Sequence, residues 1–416
     1  MKAVLTFNGR NTWFQKKAVY QVKNLLIATV IVMVLVACIS KAAPLTTEDI
    51  YPQGKQFPLG LYSIHSVQEM NATRPSGWNI AHTYQFTPSF VQTAKEGKMY
   101  ALANLPGESE PIPENQAAAT IAALAKSEPV VWWNFPEERR YWRAGERALI
   151  ANYAKWTRKY DPKKRPNYMY IPGHYDTDDV QQYVADLDVI PASIYTTYAG
   201  QPHAWVRWRM ESTMNAIKVA QAKIGSNYLN GEKIPVAILQ LFYEQGKKVI
   251  TPEGAYHDFW QSIVSGARGI LIFSYWHKRD HPNLESVWQM YNKAAKEITG
   301  SEQLGAAILF GDRSKKVSFQ ITSGPNRTNQ FSVDQSKELI SFPAIDILTL
   351  VWNQITYVIA VNSAEQNVAA RLTGLPQNAV LATVLFENST LAVSNGSLNT
   401  SFKPLGVHIF KIASRQ

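Results

Sequence analysis

Two periods of apolar residues run along this chain, and the switch between them divides it. From Phe57 onward, short apolar runs alternate with longer amphipathic stretches. The short runs predict strands over Leu59–Ile64, Trp78–Tyr84, Met99–Leu105, Val130–Phe135, Tyr168–Ile171, Asp188–Tyr195, Val236–Phe242 and Ile270–Trp276. The stretches between them predict helices. Glu114–Lys126 is alanine-rich, and Arg143–Tyr160 places Leu149, Tyr153 and Trp156 on one face. Asp178–Leu187 opens with acids, which suit a helix N-terminus. Ala204–Ile224, Tyr256–Ser265 and Leu284–Ile298 follow. Strands alternating with helices imply parallel βα units. Eight such units in roughly 245 residues fit a (β/α)8 barrel over 57–300. A doubly wound open sheet would carry a glycine-rich phosphate loop after its first strand, whereas here that strand ends Ser63-Ile64-His65-Ser66.

After Gly300 the helical period stops. In Val317-Ser318-Phe319-Gln320-Ile321 every second residue is apolar, as on a half-buried strand. Further strands are expected at Leu348–Trp352, Thr356–Asn362, Val368–Thr373, Ala379–Glu387 and Val407–Ile412, with a hairpin turn at Asn395-Gly396. Residues 303–416 therefore read as a small all-β sandwich.

The N-terminus has its own pattern. Lys16, Lys17 and Lys23 precede an uninterrupted apolar run from Leu25 to Ala37, and the run ends Leu35-Val36-Ala37-Cys38. The run is short for a membrane span, which needs about 20 residues. This segment resembles the leader of a bacterial lipoprotein. The resemblance implies cleavage before Cys38, acylation of that residue, a membrane anchor, and a tether over 38–56. Ile39 in place of an aspartate favours an outer-membrane address facing periplasm or exterior. Without residues 1–37 the formal net charge drops from +10 to +5, so the basic character lies largely in the leader. No long basic run interrupts the rest, and no nucleic-acid partner is expected. Cys38 is the only cysteine, which leaves no thiol for a disulfide, a cysteine nucleophile or a cysteine zinc site. A monomer is expected.

In a (β/α)8 barrel the chemistry sits at the C-terminal ends of the strands. Strand four ends Trp132-Trp133-Asn134-Phe135-Pro136-Glu137-Glu138, strand seven ends Gln240-Leu241-Phe242-Tyr243-Glu244, and strand eight ends Phe273-Ser274-Tyr275-Trp276. Glu137 or Glu138 would face Glu244 across the mouth. Other polar and aromatic groups at strand ends are candidates for binding a substrate: His82, Tyr84, Asn104, Trp133, His174, Asp176, Tyr195, Tyr198, His203, Tyr243 and Trp276. His277, Asp280 and His281 share a loop without a supporting cluster, so no metal is expected. The chain lacks a Gly-x-Ser-x-Gly elbow, a phosphate loop and a His-Glu-x-x-His motif, which argues against serine esterases, nucleotide enzymes and zincins. No cofactor is expected.

A strand-four acid, a strand-seven acid and a strand-eight tryptophan, followed by a small sandwich ending Pro404-Leu405-Gly406-Val407-His408-Ile409-Phe410, resemble the clan of retaining glycoside hydrolases built on (β/α)8 barrels. The resemblance implies a strand-four general acid/base and Glu244 as nucleophile, acting on a polysaccharide, oligosaccharide or glycoconjugate. The clan's strand-four signature is Asn-Glu-Pro. Here the order is Asn134-Phe135-Pro136-Glu137-Glu138, which leaves both glutamates as candidates. The shifted motif keeps open a non-catalytic carbohydrate-binding envelope lipoprotein. A third possibility is an envelope assembly protein that uses its sandwich for protein contacts.

Overall fold

A computed structural model describes residues 49–107, 112–224, 233–276, 281–333 and 338–413. Cys38, the leader, His277 and Asp280 lie outside them. Eight parallel strands close into a barrel: β1 Leu59–Leu61, β2 Ile80–Ala81, β3 Tyr100–Asn104, β4 Val130–Asn134, β5 Asn167–Tyr168, β6 Val189–Ile194, β7 Ile234–Gln240 and β8 Ile270–Phe273. Closure is made by β1 and β8, with Leu59 opposite Ile270. A helix follows each strand: α1 Val67–Thr73, α2 Pro88–Glu96, α3 Glu114–Ala125, α4 Ala144–Tyr160, α5 Thr177–Gln181, α6 Trp205–Ile224, α7 Pro252–Val264 and α8 Leu284–Thr299. All eight expected strands are present, with shorter ladders than the apolar runs suggested.

Local chemistry sets several helix starts. The Ser66 hydroxyl accepts from the Glu69 N–H while the Glu69 carboxylate accepts from the Ser66 N–H, which satisfies two end donors of α1. Asp176 does the same for α5, and the Thr251 hydroxyl caps α7. Asp176 is thus a helix cap bound to the N–H groups of Asp178 and Asp179. It does not line the cavity described below, contrary to its expected place in the substrate site.

Side chains alternate along β4. Trp132 points into the barrel, its ring 6.0 Å from that of Tyr168. Trp133 points the other way, into the helix layer, where its indole N–H donates to Asp161 at 2.9 Å. Trp133 is fully buried, so the expectation that it binds substrate is overturned by strand parity.

The C-terminal part opens with a helix, α9 Leu304–Phe310, rather than a strand. Among the described residues nine strands follow: β9 Asp312–Arg313, β10 Ser318–Ser323, β11 Ile345–Trp352, β12 Ile355–Asn362, β13 Val368–Thr373, β14 Leu381–Val384, β15 Ser389–Ala392, β16 Leu398–Phe402 and β17 Val407–Ala413. They form two antiparallel sheets ordered β10-β13-β16 and β15-β14-β17-β12-β11-β9. The expected turn is present: Asn395 and Gly396 both have positive φ, at 49° and 66°, and Ser394 bridges Ser397. The fold is a TIM barrel followed by a β-sandwich.

At its central strand β12 the larger sheet is buried on both faces. Along β12, Tyr357, Ile359 and Val361 join the core shared with the barrel, while Val358 and Ala360 face the smaller sheet. Helix α7 lies on the barrel side of this sheet. The chain is already packed from Ile50, ahead of the expected start at Phe57. Ile50, Tyr51 and Phe57 are buried, Asp49 accepts from the Tyr100 hydroxyl, and Gln53 donates to the Lys163 carbonyl. This segment crosses the end of the barrel where the strands begin. Leu45–Gln416 forms one compact unit that holds all three hydrophobic cores.

Candidate active site

A cavity of about 790 Å³ opens at the C-terminal ends of the strands. Aromatic rings build much of its lining because successive inward positions there are aromatic. Tyr170 follows β5, Tyr195 follows β6, Phe242 follows β7 and Phe273 ends β8. Phe273 lies 5.5 to 6.4 Å from the rings of Tyr62, Tyr170, Tyr195 and Phe242. Such spacings are those of offset and edge-on aromatic contacts. Beneath them the Tyr62 and Tyr168 hydroxyls share a hydrogen bond.

Three carboxylates line the cavity: Glu137, Glu138 and Glu244. Glu137 is half-buried and accepts a 3.0 Å hydrogen bond from the Tyr84 hydroxyl at Oε2. Burial, followed by the charge of Glu137, holds the Tyr84 phenol far above its ordinary range. Burial also raises Tyr62 and Tyr168, with Glu137 adding to the effect in both, and pushes Tyr170 up to about 12. Each of these phenols is therefore a neutral donor at physiological pH. Glu138 is exposed, and its backbone is left-handed, with φ of 55°. Its N–H donates to the Tyr170 carbonyl at 3.2 Å. Glu244 is exposed in the loop four residues past the end of β7.

Several expected binding residues meet in this cavity: Tyr84, His174, Tyr195, Tyr198 and Tyr243. Tyr198 carries Lys247 over its ring at 5.5 Å. Others do not reach it. His82 is buried beneath, its ring 4.3 Å from Tyr62 and 4.8 Å from Tyr84. Burial lowers His82 to about 3, so it is a neutral support for those two phenols. Asn104 donates to the Thr83 carbonyl and accepts from Asn134, and so ties three strand ends together. Trp276 is 59% exposed and stands outside the cavity, because β8 ends at Phe273 and the ring at that position takes the inward place. Among residues the sequence did not single out, Tyr170, Phe242, Phe273, Gln201 and Trp205 line the wall. Tyr170 lies two residues past Tyr168, and that alternate spacing was the available signal.

His203 is diverted into a separate buried cluster. Its Nδ1 lies 2.7 Å from Asp258 Oδ1, and His257 Nδ1 lies 2.9 Å from the same oxygen. Thr196 donates to the other carboxylate oxygen, and His257 Nε2 meets Ser363 of the sandwich at 2.9 Å. Burial opposes the charge on His203, but the Asp258 carboxylate outweighs it and raises the group. Burial acts on Asp258 in the opposite sense to the two imidazoles, which win and hold it low. His203, His257 and Asp258 are a His₂-carboxylate set that could in principle grip a metal. Their separations are hydrogen-bond lengths, shorter than the roughly 3.3 Å between ligands on a tetrahedral zinc with bonds of about 2.0 Å. The cluster instead ties the loop after β6 to α7 and to the sandwich.

No family model and no curated protein matches the chain in sequence. Solved structures do match in fold. An Anoxybacillus alpha-amylase superposes with a TM-score of 0.54 at 9% identity, covering 87% of this chain and 99% of that one. An alpha-amylase from Geobacillus thermoleovorans, complexed with acarbose, gives 0.53 at 9% identity with the same coverage. A glycoside hydrolase family 5 protein from Bacteroides vulgatus gives 0.52 at 10% identity, covering 86% of this chain and 89% of that one. The chain thus has the barrel-plus-sheet fold of these glycoside hydrolases.

Proposed function

We propose that the protein is a lipid-anchored glycoside hydrolase that uses Glu137 and Glu244 as its carboxylate pair. The observation that carries this reading is one aromatic-lined cavity holding carboxylates from the ends of both β4 and β7. Rings such as Tyr195 and Tyr243 offer flat faces to the apolar side of a sugar, and the carboxylates and phenols offer partners for its hydroxyls. Glycosidic cleavage needs one carboxyl to protonate the leaving oxygen while another attacks or activates water. Glu137 takes the first role here from its place after β4, with the Tyr84 hydroxyl orienting its carboxyl. Glu244 takes the second, from the loop after β7. Cys38 carries the anchor, and the substrate is a polysaccharide, oligosaccharide or glycoconjugate of the envelope or its surroundings.

The test is a screen of residues 45–416 against envelope and plant polysaccharides, reading new reducing ends. Turnover is expected, and Glu137→Gln and Glu244→Gln should each remove nearly all of it while the circular dichroism spectrum stays unchanged. Comparable turnover in the Glu244→Gln variant would remove that residue from the mechanism. The exposure of Glu244, past the end of its strand, favours one other reading: a carbohydrate-binding lipoprotein. Saturable sugar binding without any turnover would establish that reading instead.

A further inference from the structure

The barrel end opposite the cavity is basic. In this fold the loops that lead into the strands all gather at that end. They carry Lys55 before β1, Arg74 before β2, Lys98 before β3, Lys126 before β4, and Lys163 and Lys164 before β5, all exposed. Among the described residues, several acids of these loops are already neutralised. Asp161 pairs with Arg165, Asp186 with Arg147, and Asp188 with Arg158 and Lys233. Among the described residues of these loops, Glu96, Glu128 and Asp49 are the acids set against the six cations. Lys55, Arg74 and Lys98 also line one depression of about 460 Å³, together with Trp78 and Tyr100; among the described residues no carboxylate lines it, and Asp49 stands behind the Tyr100 hydroxyl.

The chain enters the fold at this same end, because Ile50–Phe57 crosses it. Ten residues lie between Cys38 and Asp49, eleven steps along the chain. Fully extended, they span at most about 40 Å. A lipid on Cys38 would therefore hold this end, and not the cavity, nearest the bilayer.

We propose that this basic floor docks on anionic phospholipid headgroups, so that the cavity faces away from the membrane. The orientation rests on the lipid-anchored reading; the charge complementarity does not. Lysine and arginine near an anionic leaflet gain affinity together, and the gain fades beyond a screening length. Arg74 and Lys98 line the depression and are exposed, so both cations are within reach of a headgroup phosphate that enters it.

The experiment uses residues 45–416, which hold the whole core and carry no lipid. They are sedimented with vesicles of phosphatidylcholine alone and of phosphatidylcholine with phosphatidylglycerol, at about 0.05 M and about 0.5 M salt. Binding is expected only with phosphatidylglycerol and only at the lower salt. Lys55→Ala, Arg74→Ala and Lys98→Ala should each weaken it roughly fivefold. Lys126→Ala with Lys163→Ala forms a second floor variant, outside the depression, for use if the first set perturbs the fold. Lys247→Ala with Lys248→Ala, on the cavity side, should leave binding unchanged. Equal binding to both vesicles, equal loss in the cavity-side variant, or capture by peptidoglycan sacculi in place of vesicles would overturn the proposal. With neither the Cys38 anchor nor a sugar substrate present, these outcomes stand apart from the success or failure of the anchoring and hydrolase readings.

Discussion

Tyr84 holds Glu137: its hydroxyl donates to the carboxylate at 3.0 Å, and the Glu137 charge in turn keeps the phenol protonated. The two come from different strand ends, so the bond locks the β2 and β4 sides of the cavity together. A hydrogen bond to a charged group is worth about 1.5–3 kcal/mol. Tyr84→Phe should keep the fold and lower turnover by roughly 10- to 100-fold. Steady-state kinetics on one substrate, with thermal melts of both proteins, check this; unchanged turnover would show that Glu137 needs no such support.

Glu138 occupies a left-handed conformation that costs a non-glycine residue about 1–2 kcal/mol. Glu138→Gly relieves that strain and removes the carboxylate, while leaving Glu137 in place. The variant should be as stable as the wild type or slightly more so, and should retain most of its turnover. Loss of turnover comparable to that of Glu137→Gln, in a folded protein, would move the acid role to Glu138.

Glu297, on α8, is raised from 4.5 to about 7 by burial, against the opposing pull of the Tyr256 hydroxyl and Lys293. Between those two values the folded chain binds more protons than the unfolded one. Stability from this group is thus fully present below about 4.5 and lost as pH rises through about 7. The loss is about 1–3 kcal/mol. Glu297→Gln should match the wild type near pH 4 and exceed it at pH 8. Urea midpoints at the two values decide it, and an equal gap at both would exclude the carboxyl as the cause.

The His203–Asp258–His257 cluster is held by hydrogen bonds. Chelator should leave the melting temperature unchanged, and added zinc should not raise it. Asp258→Asn removes the charge that both imidazoles face and should cost about 3–5 kcal/mol. A melting temperature that falls in chelator and recovers with zinc would make the cluster a metal site.

The barrel was legible because its strands are apolar runs, the last six each followed by a longer helical pattern, and every one of the eight was found. Helices α1 and α2 escaped because they are too short to display a period: α1 buries only Met70 and Thr73, and α2 buries Phe90, Val91 and Ala94. The carboxylates of the cavity were legible from the rule that chemistry sits at strand ends. Which neighbouring side chain faces inward was not, because the exact strand end sets the parity. Ending β8 at Phe273 moved the aromatic role from Trp276, and the alternation of β4 sent Trp133 to Asp161. His203 and Asp176 illustrate a second limit, since polar residues near a mouth are as readily taken by helix caps and interlocking networks as by a ligand.

The six-stranded sheet is a party wall. Its strand β12 presents Tyr357, Ile359 and Val361 to one side and Val358 and Ala360 to the other. Exposing a fully buried side chain of this size forfeits about 1.5–3 kcal/mol. A chimera that joined this barrel to a foreign sandwich would leave α7 uncovered, and the native sheet moved to another barrel would lose its own cover, so the two halves must be inherited together.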